Sequence, residues 1–230
     1  MSDATVTTAK NTFATFWVFG STGASRSWSA DERRAACDLA AIIVGRHGES
    51  VALRAAYSTI GLTAGVDLIL WLVANDVEAF QALATELNHS LIGPALEARF
   101  AYLGMAAGSQ YNPEHGPAFL RGIPPKKYLS VYPFSKTPAW YLLPFEKRRE
   151  LMSVHGQLGD EFPSILTNTV SSFGIADQEF VVALEDDDPA VLINMVQRLR
   201  GAEVREYTLI DTPIFLGLKK DLGEALMDAI

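Results

Sequence analysis

The sequence predicts an α+β fold in which a β-α-β-β-α-β unit, the ferredoxin-like arrangement, occurs twice and the two copies close into a dimeric α+β barrel. Three observations predict it. The halves echo one another, an acidic helix-capping step follows each echo, and a Gly-, Pro- and Asn-rich connection separates them.

In the first half, Thr12 to Phe19 reads as a strand, followed by a helix from about Ala30 to Arg46. Tyr57-Ser-Thr-Ile-Gly-Leu then turns at Gly61 into an apolar strand that ends near Leu72. Asn75-Asp76 precedes Val77 to Leu87, where apolar residues recur every three or four places. A strand near Leu96 to Met105 closes the half. The second half repeats this order. Lys127 to Phe134 is a strand and Pro144 to Gly159 a helix, opened by a Pro whose missing amide costs little there. Val170-Ser-Ser-Phe-Gly-Ile turns at Gly174 into a strand ending at Leu184. Asp186 to Asp188 caps a helix from Pro189 to Leu199, a better use for these acids than calcium binding. Tyr207 to Leu218 is the closing strand. The chain thus divides into residues 1–110, a linker 111–125 and residues 126–230. The stretch Ala106 to Pro125 is expected to be an exposed connection.

Composition narrows the function. The chain has 230 residues, 49% of them hydrophobic, enough for a substantial core. A net charge of -8 disfavours a phosphate-backbone partner, so no nucleic acid is expected. The single Cys37 rules out a disulfide framework or a thiolate zinc cluster and suits a small buried residue. The longest apolar run, Val66 to Ala74, carries Asp67 and is too short to span a bilayer. With no secretory pattern after Met1, a cytoplasmic setting is expected. Charge is unevenly spread: Arg121 to Arg149 holds seven basic residues and one acid, Glu146, a local +6. That stretch is either a solvated surface or a site for a multiply anionic small molecule.

Four histidines are too few for a multi-His centre, though one is enough for a haem-type iron. In Leu151-Met-Ser-Val-His-Gly-Gln-Leu158, Leu151, His155 and Leu158 share a helix face. Taken alone, His155 reads as a core histidine, and His47 holds a comparable place in the first half. Strand alternation puts Tyr128, Ser130 and Tyr132 on one face, and the same parity reaches Lys136, with Trp140 shortly beyond. A phenol, a hydroxyl and an ammonium thus converge, although aromatics lining a core give the same pattern. His115 lies in the flexible linker.

Pro124-Pro-Lys-Lys, Tyr132-Pro-Phe-Ser-Lys136, Trp140-Tyr-Leu-Leu-Pro144 and Arg148-Arg149 through His155-Gly156 occur in the order and spacing of the coproheme decarboxylases, which the chain resembles. These belong to the chlorite dismutase-like superfamily. The resemblance covers the C-terminal half, with the first half as the cofactor-free repeat, and His115 matches the actinobacterial branch. It implies an oxidoreductase, a hydrogen peroxide-dependent haem synthase. Two propionates of Fe-coproporphyrin III (coproheme) would become vinyls, giving haem b in the last step of the coproporphyrin-dependent pathway. His155 would bind the iron, Tyr132 would be the reacting radical, and His115 the distal base toward peroxide. Lys136 would contact a propionate. Tyr132, Pro133, Phe134, Ser135, Lys136, Trp140 and Arg121 would surround the porphyrin. A homopentamer is implied, with transient contact to a coproporphyrin ferrochelatase. No Arg occurs between Arg149 and Arg198, so the distal arginine of chlorite-splitting relatives is missing. Asn168 stands in that region. Two other readings remain: a haem-binding carrier or sensor, and a chlorite dismutase-like peroxidase.

Overall fold

The computed structural model describes residues 11–106 and 116–230. The strands are β1 (Thr12–Ser21), β2 (Val51–Ser58), β3 (Leu68–Ala74), β4 (Leu96–Ala106), β5 (Tyr128–Lys136), β6 (Leu166–Ser171), β7 (Phe180–Asp186), β8 (Thr208–Ile210) and β9 (Phe215–Lys220). The α-helices are α1 (Ala30–Arg46), α2 (Val77–Asn88), α3 (Pro138–Leu142), α4 (Phe145–Asp160), α5 (Pro189–Arg200) and α6 (Leu222–Ala229). All pairings are antiparallel, in the order β7-β6-β4-β1-β3-β2-β9-β5, and a β5–β7 ladder closes the circuit into a barrel. β8 hangs on the far end of β5.

The predicted repeat is present. Gly61 and Gly174 hold matching positions with φ of 75° and 74°, a conformation that a side chain disfavours. Ser29 caps α1 with a reciprocal Glu32 contact, and Asp76 and Asp188 cap α2 and α5 through the Ala79 and Ala190 amides. Three expectations change. The closing strand 207–218 is two strands, β8 and β9, because Pro213 has no N–H to give a ladder. The short α3 and the C-terminal α6 lie outside the repeat pattern. The linker is not an exposed connection throughout, since Pro117, Ala118 and Phe119 are buried.

Alternation along the strands separates two cores. Inward residues Phe16, Tyr57, Ile69, Trp71, Leu129, Val131, Val181 and Phe215 fill the barrel. One end of this interior is polar. Glu185, fully buried, accepts from Arg54 Nη2 at 2.7 Å, Asn168 Nδ2 at 3.0 Å and the Lys126 amide at 3.0 Å. Arg54 also donates to the Ile123 carbonyl at 2.9 Å and lies 4.6 Å over the Trp71 ring, while Asn168 accepts the Phe119 amide at 2.9 Å. The linker turn is thereby pinned over the barrel mouth by both halves.

Outside the barrel the halves differ. In the first, α1, α2 and α6 bury Ala40, Val44, Leu83 and Leu226 against Trp17, Leu68, Leu70 and Leu72. α6 packs there on α1, β2 and β3, although it follows the second repeat in sequence. In the second, α5 covers the sheet through Leu192 and Met195 beside Leu184 and Tyr132. Helix α4 rests instead on Trp140, Ala202, Val204 and Tyr207, a cluster that contains no strand residue. No hydrophobic cluster among the described residues joins α4 to the outer face of β5, and the region between them is the candidate slot.

Candidate functional site

Strand β5 supplies one wall of this slot. Leu129, Val131, Pro133 and Ser135 are buried on the barrel side, and Tyr128, Ser130, Tyr132, Phe134 and Lys136 are half-buried on the other. Pro133 falls between the β9 and β8 pairings of β5, where its missing N–H has no ladder partner to lose. Helix α4 supplies the other wall, with Leu151 buried and His155 half-buried on the face that the 3.6-residue period predicts.

The structure brings Phe134, Trp140 and His155 around Lys136, and Tyr132 shares the outer face of β5 with Lys136. Lys136 Nζ lies 4.6 Å over the Trp140 ring and 5.1 Å over Phe134. Its backbone amide donates to Glu179 Oε2 at 2.7 Å, which also accepts from the Tyr141 hydroxyl at 2.6 Å. Burial, aided by Arg205 and opposed by Glu179, lowers the Lys136 ammonium to about 8. Burial and the Lys136 charge depress His155 to about 4, so its imidazole is neutral at pH 7. Its Nδ1 is buried without a hydrogen-bond partner among the described residues. His47, its first-half counterpart, is occupied by Glu86 at 2.9 Å. The structure therefore separates two histidines that the repeat left equivalent. Burial pushes the Tyr132 phenol up to about 12, with Asp211 adding to the rise and Arg200 and Arg205 opposing it.

Other expected residues lie elsewhere. Pro133 and Ser135 face the barrel, and Ser135 Oγ accepts the Glu179 amide at 3.1 Å. Arg121 is exposed on the turn Ala118–Arg121, and none of the contacts joining the slot residues involves it. Asn168 is inside the barrel, bound to Glu185. His115 lies outside the described residues. The local +6 is largely spent on neighbours: Lys126 pairs with Asp186 and Asp187, Lys147 with Glu150 and Glu203, and Arg149 with Glu146. Lys136 of that stretch lies over Trp140, and its charge acts on His155.

Two further cations act on this face of β5. Arg200, at the end of α5, and Arg205, in the turn Glu203–Tyr207, both bind Asp211 Oδ2, at 2.5 and 2.6 Å. Their charges act on Tyr132, and that of Arg205 on Lys136. Sequence reasoning missed them because basic residues at a helix C-terminus already have a use, offsetting the helix dipole. A cavity of about 410 Å³ in the first half is a different matter. Trp17, Val44, Leu70, Leu87 and Leu226 line it without an ionisable side chain, so it offers nothing to a carboxylated ligand.

The slot residues suit an iron porphyrin bearing carboxylates. A neutral imidazole with an orphaned nitrogen can ligate iron, three cations can hold carboxylates, and Trp140, Phe134 and Tyr132 offer ring surface.

A barrel of two ferredoxin-like repeats with one such slot defines a class, and the chain belongs to the chlorite dismutase family, whose family model matches residues 32–220. More particularly, it is similar to a coproheme decarboxylase of Mycolicibacterium smegmatis, 30% identical over 181 residues and 78% of each chain. A coproheme decarboxylase of Staphylococcus saprophyticus is 28% identical over 193 residues, 75% of this chain and 77% of the relative. Among solved structures, a variant of chlorite dismutase from Candidatus Nitrospira defluvii superposes with a TM-score of 0.87 at 19% identity, over 95% of each chain. That last likeness is one of fold.

Proposed function

We propose that the chain is an oxidoreductase, a hydrogen peroxide-dependent coproheme decarboxylase that converts two propionates of Fe-coproporphyrin III to vinyls and yields haem b. The observation that carries this reading is that Tyr132 and Lys136 share the outer face of β5 while the Lys136 charge acts on the neutral imidazole of His155. The names of the curated relatives support it. For each propionate, one hydrogen peroxide takes two electrons and becomes two waters, while the side chain gives up carbon dioxide and a β-hydrogen.

In this reading His155 holds the iron, and the bound iron porphyrin supplies the redox capacity. Lys136, Arg200 and Arg205 grip carboxylates and turn a propionate toward Tyr132. A phenol held at about 12 keeps its proton on Oη at neutral pH, so Tyr132 rests as the hydrogen-bearing form. On oxidation it gives up that proton and takes hydrogen from the propionate β-carbon. Trp140, 3% exposed, keeps water from the slot edge. His115, outside the described residues, is proposed as the base that takes a proton from peroxide. Homopentamer assembly, a cytoplasmic setting and delivery of coproheme by a coproporphyrin ferrochelatase belong to the same proposal. Among the described residues, no helix is long and apolar enough to cross a membrane.

The test is to load the protein with ferric coproheme, titrate hydrogen peroxide, and follow the porphyrin by liquid chromatography with mass detection. Stepwise loss of two carboxyl groups, ending at haem b, is the expected outcome. Tyr132→Phe is expected to bind coproheme with an unchanged Soret band yet make no haem b. Binding with only bleaching of coproheme in the native protein sinks the reading in favour of a peroxidase.

A further inference from the structure

We propose that Asp211 is a specificity-determining residue, an internal carboxylate that holds Arg200 and Arg205 until a porphyrin carboxylate displaces it, and that takes them back when that carboxylate is lost. The inference rests on the porphyrin reading of the slot.

The geometry is unusual in its stoichiometry. Arg200 Nη1 and Arg205 Nη1 meet on a single oxygen, Asp211 Oδ2, at 2.5 and 2.6 Å. A guanidinium fork can take a whole carboxylate in two parallel hydrogen bonds. Two forks sharing one oxygen therefore leave room for another anion. The pair is also easy to open. Both arginines are 38% exposed and Asp211 17%, so solvent screens the attraction and little is lost when a competing carboxylate takes over.

Placement ties this cluster to the reacting side of the slot. β8 pairs with β5 through Ile210 opposite Ser135 and Thr208 opposite Lys136, so Asp211 follows directly from the strand beside Ser135 and Lys136. The Tyr132 phenol responds to Asp211, Arg200 and Arg205 together. A carboxylate drawn to the arginines lies on the side where Tyr132 acts. Once it has left as carbon dioxide, a neutral vinyl remains. Without Asp211, two guanidiniums would then face that vinyl with no anion between them. With Asp211 they re-pair, and the slot keeps no special hold on the product. Discrimination thus comes from a competitor built into the site as well as from attraction.

The experiment compares dissociation constants of ferric coproheme and haem b, read from the Soret shift and tryptophan quenching, for the native chain, Asp211→Asn and Asp211→Glu. Asparagine keeps the shape but not the charge, while glutamate restores the charge. Asp211→Asn is expected to bind coproheme about tenfold more tightly, the worth of removing one charged competitor, and haem b within twofold of the native value. Asp211→Glu is expected to return both constants to native values. Equal tightening of both porphyrins would reduce Asp211 to a contribution to overall charge and overturn the proposal. Weaker binding of coproheme would make Asp211 a mere brace for the arginines and overturn it as well. Those outcomes leave the decarboxylase reading standing. That reading falls separately if the native chain gives no Soret shift that His155→Ala abolishes.

Discussion

At the scale of single residues, a charge placed in a half-buried slot is worth more than the same charge in solvent. Lys136 is the clearest case. Its ammonium loses its proton near 8, so coproheme affinity is expected to be full below that pH and to decline as pH rises through it. Lys136→Met should bind coproheme about tenfold more weakly at pH 7, the worth of one charge-assisted contact, and lose this pH-dependent decline. A titration of the Soret band from pH 6 to 10 checks both. Tyr132, Lys136 and His155 were legible in the sequence because a two-residue period and a 3.6-residue period each fix a face. Arg200 and Arg205 were not, since their charges act on Tyr132 from the end of α5 and from the turn after it, a path no periodicity encodes. For Asn168 only the position along β6 was readable, because its partner Glu185 lies in another strand.

At the scale of elements, the second half differs from the first in what its long helix leans on. α1 is matched end for end by its sequence pattern, Ala30 to Arg46, because a capping box and an apolar face agree. α4 lacks that support from strands and depends on Leu151 against Trp140, Ala202 and Val204. Leu151→Ala is expected to cost ~2–5 kcal/mol and to loosen the helix that carries His155. Leu83→Ala, in α2, removes a fully buried side chain of the same kind from the first half. Denaturant unfolding should show comparable losses for the two. Only Leu151→Ala should also weaken coproheme binding, and equal affinities would show that α4 does not owe its position to this cluster. The division of residues 207–218 into two strands was hidden because both pieces are apolar, and only the pairing with β5 shows where Pro213 interrupts them.

At the scale of the whole molecule, the repeat and its closure were readable, but the contents of the closed interior were not. No local pattern joins Arg54 to Glu185 across 131 positions, yet this pair, with Asn168, ties the two halves and the linker turn together. Removing one partner leaves the other charge buried, so Glu185→Leu is expected to cost ~3–5 kcal/mol. The double variant Arg54→Met/Glu185→Leu should recover part of that loss. Calorimetry of the three proteins checks the sign, and a double variant less stable than both single ones would mean that the hydrogen bonds to the linker dominate.

The barrel is not equally strong around its circumference. Among the described residues, β4 faces β6 through a single register pair, Met105 with Ser171, supplemented by Ser172 Oγ donating to the Leu103 carbonyl at 2.7 Å. At Gly104 a Cβ would stand 2.5 Å from Val170 Cγ2, so the two strands lie close here, yet among the described residues few bonds join them. In deuterated water, protection should therefore fail first for the amides that β4 and β6 turn toward each other, while the long β1–β4 and β1–β3 ladders still hold. The closed circuit would open like a cuff at its clasp, next to the stretch that leads toward His115.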